Sequence, residues 1–201
     1  MNFLAHLLLA GDAETDRLGA VMGDFVKGPL PGSLPPELAD GVALHRSVDT
    51  FADDHRVFRR SRARMSPERR RYGGILVDMF YDHLLARHWS RFHDQPLAEF
   101  AQDAYRLLRT HTHRLPQGLV AIVPHMEAND WLASYAELES IDVALNRMSR
   151  RLQRTNPLGG GVVELEQQYA EFEADFFEFL PDAMAFTASL RDQRYIKSRI
   201  R

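Results

Sequence analysis

The chain has 201 residues and a net charge of −3, with 45% hydrophobic and 26% charged residues. This composition is typical of a globular protein, and the length predicts one domain over residues 1–201. No apolar run reaches the roughly 18 residues of a membrane helix, and the first residues lack the basic segment of a signal peptide, so we expect a cytoplasmic protein. The absence of cysteine excludes disulfides, thiolate metal sites and cysteine nucleophiles.

Two apolar segments near the start each carry an ionisable side chain. Residues 1–10 hold His6 among leucines and alanines, and residues 16–27 hold Asp24 beside a phenylalanine. His6 is as readily a hydrogen-bonded core histidine as a ligand, and Asp24 alone is more typical of a solvated or capping acid. The Pro/Gly segment at 28–36 then predicts a loop.

The next helical pattern, at residues 36–55, places a histidine and an aspartate on one face. His45 and Asp49 are four residues apart, so their side chains lie one turn apart on the same side of the helix. That spacing lets both side chains reach a shared ligand. It equally lets them bond only to each other.

Residues 56–71 form the most strongly charged segment, with eight arginines and one glutamate. Such segments are most often solvated surfaces, but this density of positive charge also steers anionic partners. Guanidinium groups bind carboxylates and phosphates equally well. An acidic protein and a nucleic acid are therefore both open as partners of this segment.

The segment at residues 72–89 is apolar almost all the way round a helical wheel, which predicts a helix in the middle of the protein. It nevertheless contains Asp78, Asp82 and His83. A buried carboxylate without a partner is costly or takes up a proton. We therefore expect cations, histidines or a metal to face these side chains.

The remaining segments have the pattern of a helical scaffold. Apolar spacing predicts an amphipathic helix near residues 97–108, a run that breaks at Pro124, and a last helix over residues 162–179 with an aromatic stripe and an acidic outer face. The chain shows no sustained strand alternation and no phosphate-loop or nucleophile-elbow motif. The predicted fold is an all-α, single-domain helical bundle.

Seven ionisable side chains from different predicted helices fall on apolar faces: His6, Asp24, His45, Asp49, Asp78, Asp82 and His83. Each alone has a simpler explanation, but their joint occurrence on buried faces predicts a metal site. Imidazole and carboxylate ligands without thiolate favour Mg²⁺, Mn²⁺, iron or Zn²⁺ over a structural zinc site. A metal there would polarise a phosphoryl oxygen, so the residues predict metal-assisted phosphoester hydrolysis.

Four motifs resemble the acyl carrier protein phosphodiesterase family: MNFLAH at the start, MGDFVKG from position 22, GVALHRSVDTFADDH from position 41 and GGILVDMFYDHLLARHW from position 73. The resemblance implies a helical fold distantly related to the HD-domain metal-dependent phosphohydrolases. It also implies Mn²⁺-stimulated hydrolysis, with Mg²⁺ or Fe²⁺ as alternatives, of the phosphodiester between 4′-phosphopantetheine and a serine of holo-acyl carrier protein. The expected partner is then an acidic carrier protein, rather than nucleic acid or a membrane.

Within these motifs we assign roles as a hypothesis. The candidate metal ligands are Asp24, His45, Asp78 and Asp82, with His6 and Asp49 as ligands or as partners that orient them. Either His83 or His45 would protonate the departing serine oxygen, and Arg46 would neutralise the phosphodiester charge.

The acidic carrier protein is then the expected binding partner of the arginine-rich segment at residues 56–71. We infer docking at Arg56, Arg59, Arg60, Arg62 and Arg64.

Two features depart from the family pattern. Leu8 stands where family members often have a second histidine. The adjacent His93-Asp94 pair has the order of the HD signature, but it lies outside the resembling motifs in a predicted loop. Individual ligands are therefore not assigned by analogy with HD enzymes.

Two other functions stay open from the residues alone. The nearer is a metal phosphohydrolase of the same fold that acts on a nucleotide or another small phosphoester. The further is a non-enzymatic binding module in which the buried acids are paired only with histidines. Metal content distinguishes the binding module from an enzyme. Substrate profiling distinguishes an enzyme that acts on small phosphoesters from one that acts on holo-acyl carrier protein.

Overall fold

The computed structural model describes residues 1–152 and 154–199, in which helices are joined by turns and loops and no β-strand occurs. The all-α prediction is confirmed. No helix in this part of the chain combines the length and apolarity needed to cross a membrane. The α-helices are α1 (Phe3–Ala10), α2 (Glu14–Met22), α3 (Pro36–Asp54), α4 (Arg56–Ala63), α5 (Gly73–Arg87), α6 (Leu97–Thr110), α7 (Gln117–Ala128), α8 (Trp131–Ser134), α9 (Leu138–Arg151), α10 (Val162–Gln167) and α11 (Tyr169–Arg199).

One hydrophobic core runs through the bundle, and α5 lies at its centre. This helix contacts α1, α4, α9 and α11. Large side chains on different sides of this helix, such as Leu76, Met79 and Leu85, are 0% exposed. Each such side chain contributes roughly 1.5–3 kcal/mol of transfer free energy, so the apolar sequence of α5 explains its central position.

Glycines let α2 and α3 approach until their backbones touch. A Cβ atom on Gly19 would lie 2.3 Å from the carbonyl carbon of Gly41, a distance that no side chain tolerates. At the end of α2, a Cβ atom on Gly23 would lie 2.1 Å from the ring of His45. The close crossing therefore brings the turn after α2 directly against His45.

Asp82 of α5 caps the beginning of α1. Its two carboxylate oxygens accept hydrogen bonds from the backbone N–H groups of Leu4 at 2.9 Å and Ala5 at 3.0 Å. N–H groups in the first turn of a helix lack partners within the helix, and this buried carboxylate supplies them. Burial raises the pKa of Asp82 to about 7, against the opposing effect of the two hydrogen bonds. The cap fixes the first turn of α1 on α5, directly before His6.

Ion pairs join α4 to α11. The carboxylate of Asp175, which is 1% exposed, accepts hydrogen bonds from Ser61 at 2.7 Å, Arg60 at 2.7 Å and Arg64 at 2.8 Å. Burial alone would raise the pKa of Asp175, but these three donors outweigh it and lower the pKa. The prediction that the acids of the last helix form an outer face is wrong at this residue, because the arginines of α4 cover it.

Two helix boundaries differ from the sequence prediction. Helix α7 continues through Pro124, which is exposed, so the backbone carbonyl that loses its N–H partner lies on a side that water can reach. The predicted last helix is divided at Gln168, where φ −133° and ψ 36° leave the helical region. Beyond that break, α11 runs on through Pro181.

Replacing Asp82 by alanine would leave the N–H groups of Leu4 and Ala5 buried without an acceptor. We expect the free energy of unfolding, measured by urea denaturation, to fall by roughly 1–3 kcal/mol. The control is Asp40→Ala, which removes an exposed acid of α3 and should change the value by less than about 0.5 kcal/mol. Equal stability of Asp82→Ala and the wild type would show that the cap does not stabilise the fold.

Candidate metal centre

Two buried histidines from different helices stack on each other. His6 on α1 is 2% exposed and His45 on α3 is 4% exposed. Their ring centroids are 3.8 Å apart and the ring planes differ by 18°. The cap on α1 and the close crossing of α2 and α3 therefore converge on this pair of imidazoles.

Asp49 joins the two rings. One carboxylate oxygen lies 3.1 Å from Nε2 of His6, and the other lies 3.1 Å from Nε2 of His45. One possible ligand atom from each of the three residues lies within 4.8 Å of the other two. A carboxylate oxygen of Asp24 is 3.7 Å from Nε2 of His45. The side chains of Asp49 and Asp24 are 40% and 59% exposed, so the centre opens to solvent at its carboxylates.

A positively charged amino group lies between Asp78 and Asp49. The amino nitrogen of Met1 lies 2.9 Å from a carboxylate oxygen of Asp78 and 3.1 Å from one of Asp49. Burial lowers the pKa of this amino group, but attraction to Asp78 and Asp49 prevails and raises it to about 11. Burial raises the pKa of Asp78, although the amino group opposes this. The space between the two carboxylates thus suits a cation.

The two histidines differ in protonation although their rings touch. Burial lowers the pKa of His6 to about 4. Burial also lowers the pKa of His45, but the nearby carboxylates of Asp24 and Asp49 outweigh it and raise the pKa to about 9. Despite its burial, Asp49 has a lowered pKa because both histidines bond to it. At neutral pH one imidazole is therefore neutral, the other is charged, and Asp49 is ionised.

The donor set fits a divalent metal ion. Nδ1 of His6 is buried without a hydrogen-bond partner among the described residues, although such groups normally have one, and Nε2 of the same ring faces Asp49. Nδ1 of His45 lies 2.8 Å from the carbonyl oxygen of Ala20, which leaves Nε2 facing Asp49. Two imidazoles and carboxylates form a ligand set that suits Mn²⁺, iron or Zn²⁺. His6, His45 and Asp49 could hold such an ion, with Asp24 and Asp78 beside them.

His83 and Asp82 bond to parts of the chain outside the group of His6, His45 and Asp49. Nδ1 of His83 lies 2.9 Å from the carbonyl oxygen of Tyr135, and its Nε2 lies 3.0 Å from the hydroxyl of Tyr169. Both oxygens of Asp82 are occupied by the N–H groups of α1. The polar atoms of both side chains are therefore hydrogen-bonded within the scaffold.

Arg46 also bonds to the scaffold. Its guanidinium donates to the carbonyl oxygens of Gly28 and Val26, each at 2.9 Å, and so supports the loop that follows Asp24. His93 of the His93-Asp94 pair stacks on Trp89, with ring centroids 5.2 Å apart.

The five predicted docking arginines all bond to acceptors in the chain itself. The partners are Glu178 for Arg56 and Arg60, Asp175 for Arg60 and Arg64, Asp53 for Arg62, and the backbone carbonyl of Asp54 for Arg59. Within the described residues, Arg59 is the member of this group without an ion pair. Much of the positive charge of the segment is therefore neutralised by the acids of α11 and by Asp53.

A cavity borders the centre on the side of Asp24, with a volume of about 420 Å³. Asn2 and Asp24 line it near the centre, and Trp131 lines it farther along the chain. No motif in the sequence marks this cavity. Asn2 and Gly23 lie within the resembling motifs and could have been singled out there, whereas Trp131 stands in a segment that carries no motif.

Comparisons with known proteins give the family. A family model described as acyl carrier protein phosphodiesterase matches residues 1–183. A protein of that name from Pectobacterium atrosepticum is 37% identical over 185 residues, which cover 92% of this chain and 96% of the relative. Proteins of the same name from Yersinia pestis and Escherichia coli O157:H7 are 35% identical, with the same shares covered. No solved structure matches the chain. The chain belongs to the acyl carrier protein phosphodiesterase family.

Proposed function

We propose that the chain hydrolyses the phosphodiester between 4′-phosphopantetheine and a serine of holo-acyl carrier protein. The products are apo-acyl carrier protein and 4′-phosphopantetheine. Family membership supplies the reaction. The group of His6, His45 and Asp49 supports the location that we propose for the reaction, because its ligand atoms converge at a solvent opening.

The proposed cofactor is a divalent metal ion held by His6, His45 and Asp49. We favour Mn²⁺, with Mg²⁺ or Fe²⁺ as alternatives. Such an ion would polarise the phosphoryl group that enters the site. The relation to HD-domain phosphohydrolases stays a prediction.

The residues of the chain have separate tasks in this proposal. The bond of His45 to the carbonyl of Ala20 orients its ring, and Asp49 orients both rings. His45 presents either a proton or a free electron pair at Nε2, but not both, so it serves as ligand or as acid.

Asp24 is placed to take the proton of the attacking water. It is the most exposed acid of the group, and the neighbouring imidazole of His45 lowers its pKa, so the carboxylate is ionised and free to accept a proton. The water oxygen bonds to phosphorus, the bond from phosphorus to the serine oxygen breaks, and the serine oxygen takes a proton from solvent at the same opening. Asp82, His83 and Arg46 support this site from the scaffold, through the contacts that occupy their polar atoms.

The reaction is tested by incubating the purified protein with holo-acyl carrier protein and Mn²⁺, with and without a chelator, and by measuring the intact mass of the carrier. We expect the mass of 4′-phosphopantetheine to be lost only without the chelator. If the carrier keeps its mass while the protein binds metal, the substrate is instead a small phosphoester, which a panel of nucleotides would identify.

Two variants test which residues act in the metal centre and which act in the scaffold. Asp49→Ala should lower both Mn²⁺ affinity and turnover by about 100-fold or more, because it removes a ligand that also orients both imidazoles. His83→Gln can still hydrogen-bond within the scaffold and should keep Mn²⁺ binding and most turnover. Metal content and carrier mass measure both effects. A folded His83→Gln variant that binds Mn²⁺ but does not turn over would return the acid role to His83.

Docking of the carrier on α4 stays a prediction, and Arg59 offers the cleanest test. Its reversal to glutamate breaks no ion pair among the described residues, whereas reversal of Arg60 or Arg64 would also disrupt the contact with Asp175. Arg59→Glu should raise KM for the carrier roughly threefold to tenfold at low salt and less at high salt. Arg106→Glu, at an exposed site on α6 where the arginine pairs with Asp103 of the same helix, is the charge control. An unchanged KM for Arg59→Glu would move docking away from α4.

A further inference from the structure

The cavity beside the metal centre is built by three helices and the turn that carries Asp24. Ile122 of α7, Trp131 of α8 and Ala144 of α9 contribute to its walls, and Asn2 and Asp24 line it next to the centre. Its volume of about 420 Å³ lies within the range of small-molecule sites. The proposed mechanism uses Asp24 but leaves the rest of this cavity without a role.

The position of the cavity restricts what can occupy it. Asp24 lines the cavity and also lies 3.7 Å from Nε2 of His45, so a ligand in the cavity would continue directly into the metal centre. The scissile phosphodiester joins a folded protein on one side to a narrow, flexible chain on the other. A space of this size admits the flexible chain and excludes the folded protein.

The chemistry of the walls suits that chain. The lining is largely apolar, with Ile122, Val143 and Met148 among its members. The indole Nε1 of Trp131 is buried and has no hydrogen-bond partner among the residues that the structure describes. Pantetheine carries a dimethyl-substituted carbon and two amides. Its methyl groups match the apolar wall, and an amide carbonyl would satisfy the indole N–H, which otherwise costs stability.

We propose that this cavity binds the pantetheine arm of the substrate and thereby places the adjoining phosphodiester at the metal centre. The proposal rests on the proposed function for its substrate. The indole of Trp131 donates to an amide carbonyl of the arm, and the wall at Ala144 packs against the arm. The carrier protein itself stays outside the cavity.

The probe is pantetheine itself, which lacks the phosphate and therefore tests the cavity apart from the metal centre. Saturation-transfer NMR with the metal-free protein should show binding to the wild type. Ala144→Phe fills the cavity and should weaken binding by about tenfold or more. The control is Ala121→Phe, at an exposed alanine of α7 outside the lining, and it should bind like the wild type. No binding to the wild type, or equal binding to Ala144→Phe, would overturn the proposal.

A second variant covers the case in which Ala144→Phe does not fold. Trp131→Phe keeps an aromatic ring but removes the N–H donor, so pantetheine binding should weaken roughly threefold to tenfold. Unchanged binding to Trp131→Phe would overturn the assigned hydrogen bond and with it this account of specificity.

The same variants separate this proposal from the proposed function. With holo-acyl carrier protein and Mn²⁺, Ala144→Phe or Trp131→Phe should raise KM, while Ala121→Phe leaves it unchanged. If the wild type cleaves the carrier but does not bind pantetheine, the cavity proposal fails and the function stands. If pantetheine binds in the cavity but the carrier is not cleaved, the proposed function fails and the cavity remains a pantetheine site.

Discussion

The burial of α5 on nearly all sides is the constraint on which the rest of the structure depends. A polar side chain on this helix must find its partner inside the protein, because water cannot supply one. Asp82 binds the first N–H groups of α1, and His83 lies between the carbonyl of Tyr135 and the hydroxyl of Tyr169. Asp78 faces an amino nitrogen. Each of these contacts fixes another segment of the chain to the central helix. The contact with α1 is the most direct, because Asp82 binds its backbone.

The candidate metal centre follows from that attachment. Since α1 is anchored at its first turn, His6 is carried against His45, whose own position depends on the bare face of Gly23. The result is a neutral imidazole whose Nδ1 has no partner among the described residues, beside a charged imidazole, and Asp49 bridges the two rings. Uptake of a metal by His45 requires loss of its proton. In the metal-free protein, the proton on His45 supplies positive charge where the ion would.

Helical periodicity predicted most of the helices and pointed to much of the candidate site, because it tells which side of a helix faces the core. His6, His45 and Asp49 could be found this way, and they do converge. Periodicity does not tell which partner a buried group meets. Asp82 therefore resembled a ligand although it caps a helix. The arginines of α4 looked free in the sequence because the acids of α11 that neutralise them are more than a hundred residues away. The cavity at Trp131 depends on how α7, α8 and α9 pack, which no local pattern encodes.

The most direct test of the metal centre is anomalous diffraction at the manganese edge from crystals of the Mn²⁺-loaded protein. The account predicts a peak at coordination distance, about 2.0–2.3 Å, from Nε2 of His6, Nε2 of His45 and a carboxylate oxygen of Asp49. A peak beside His83 or Asp82, or no peak at the two stacked imidazoles in a crystal of active protein, would contradict it.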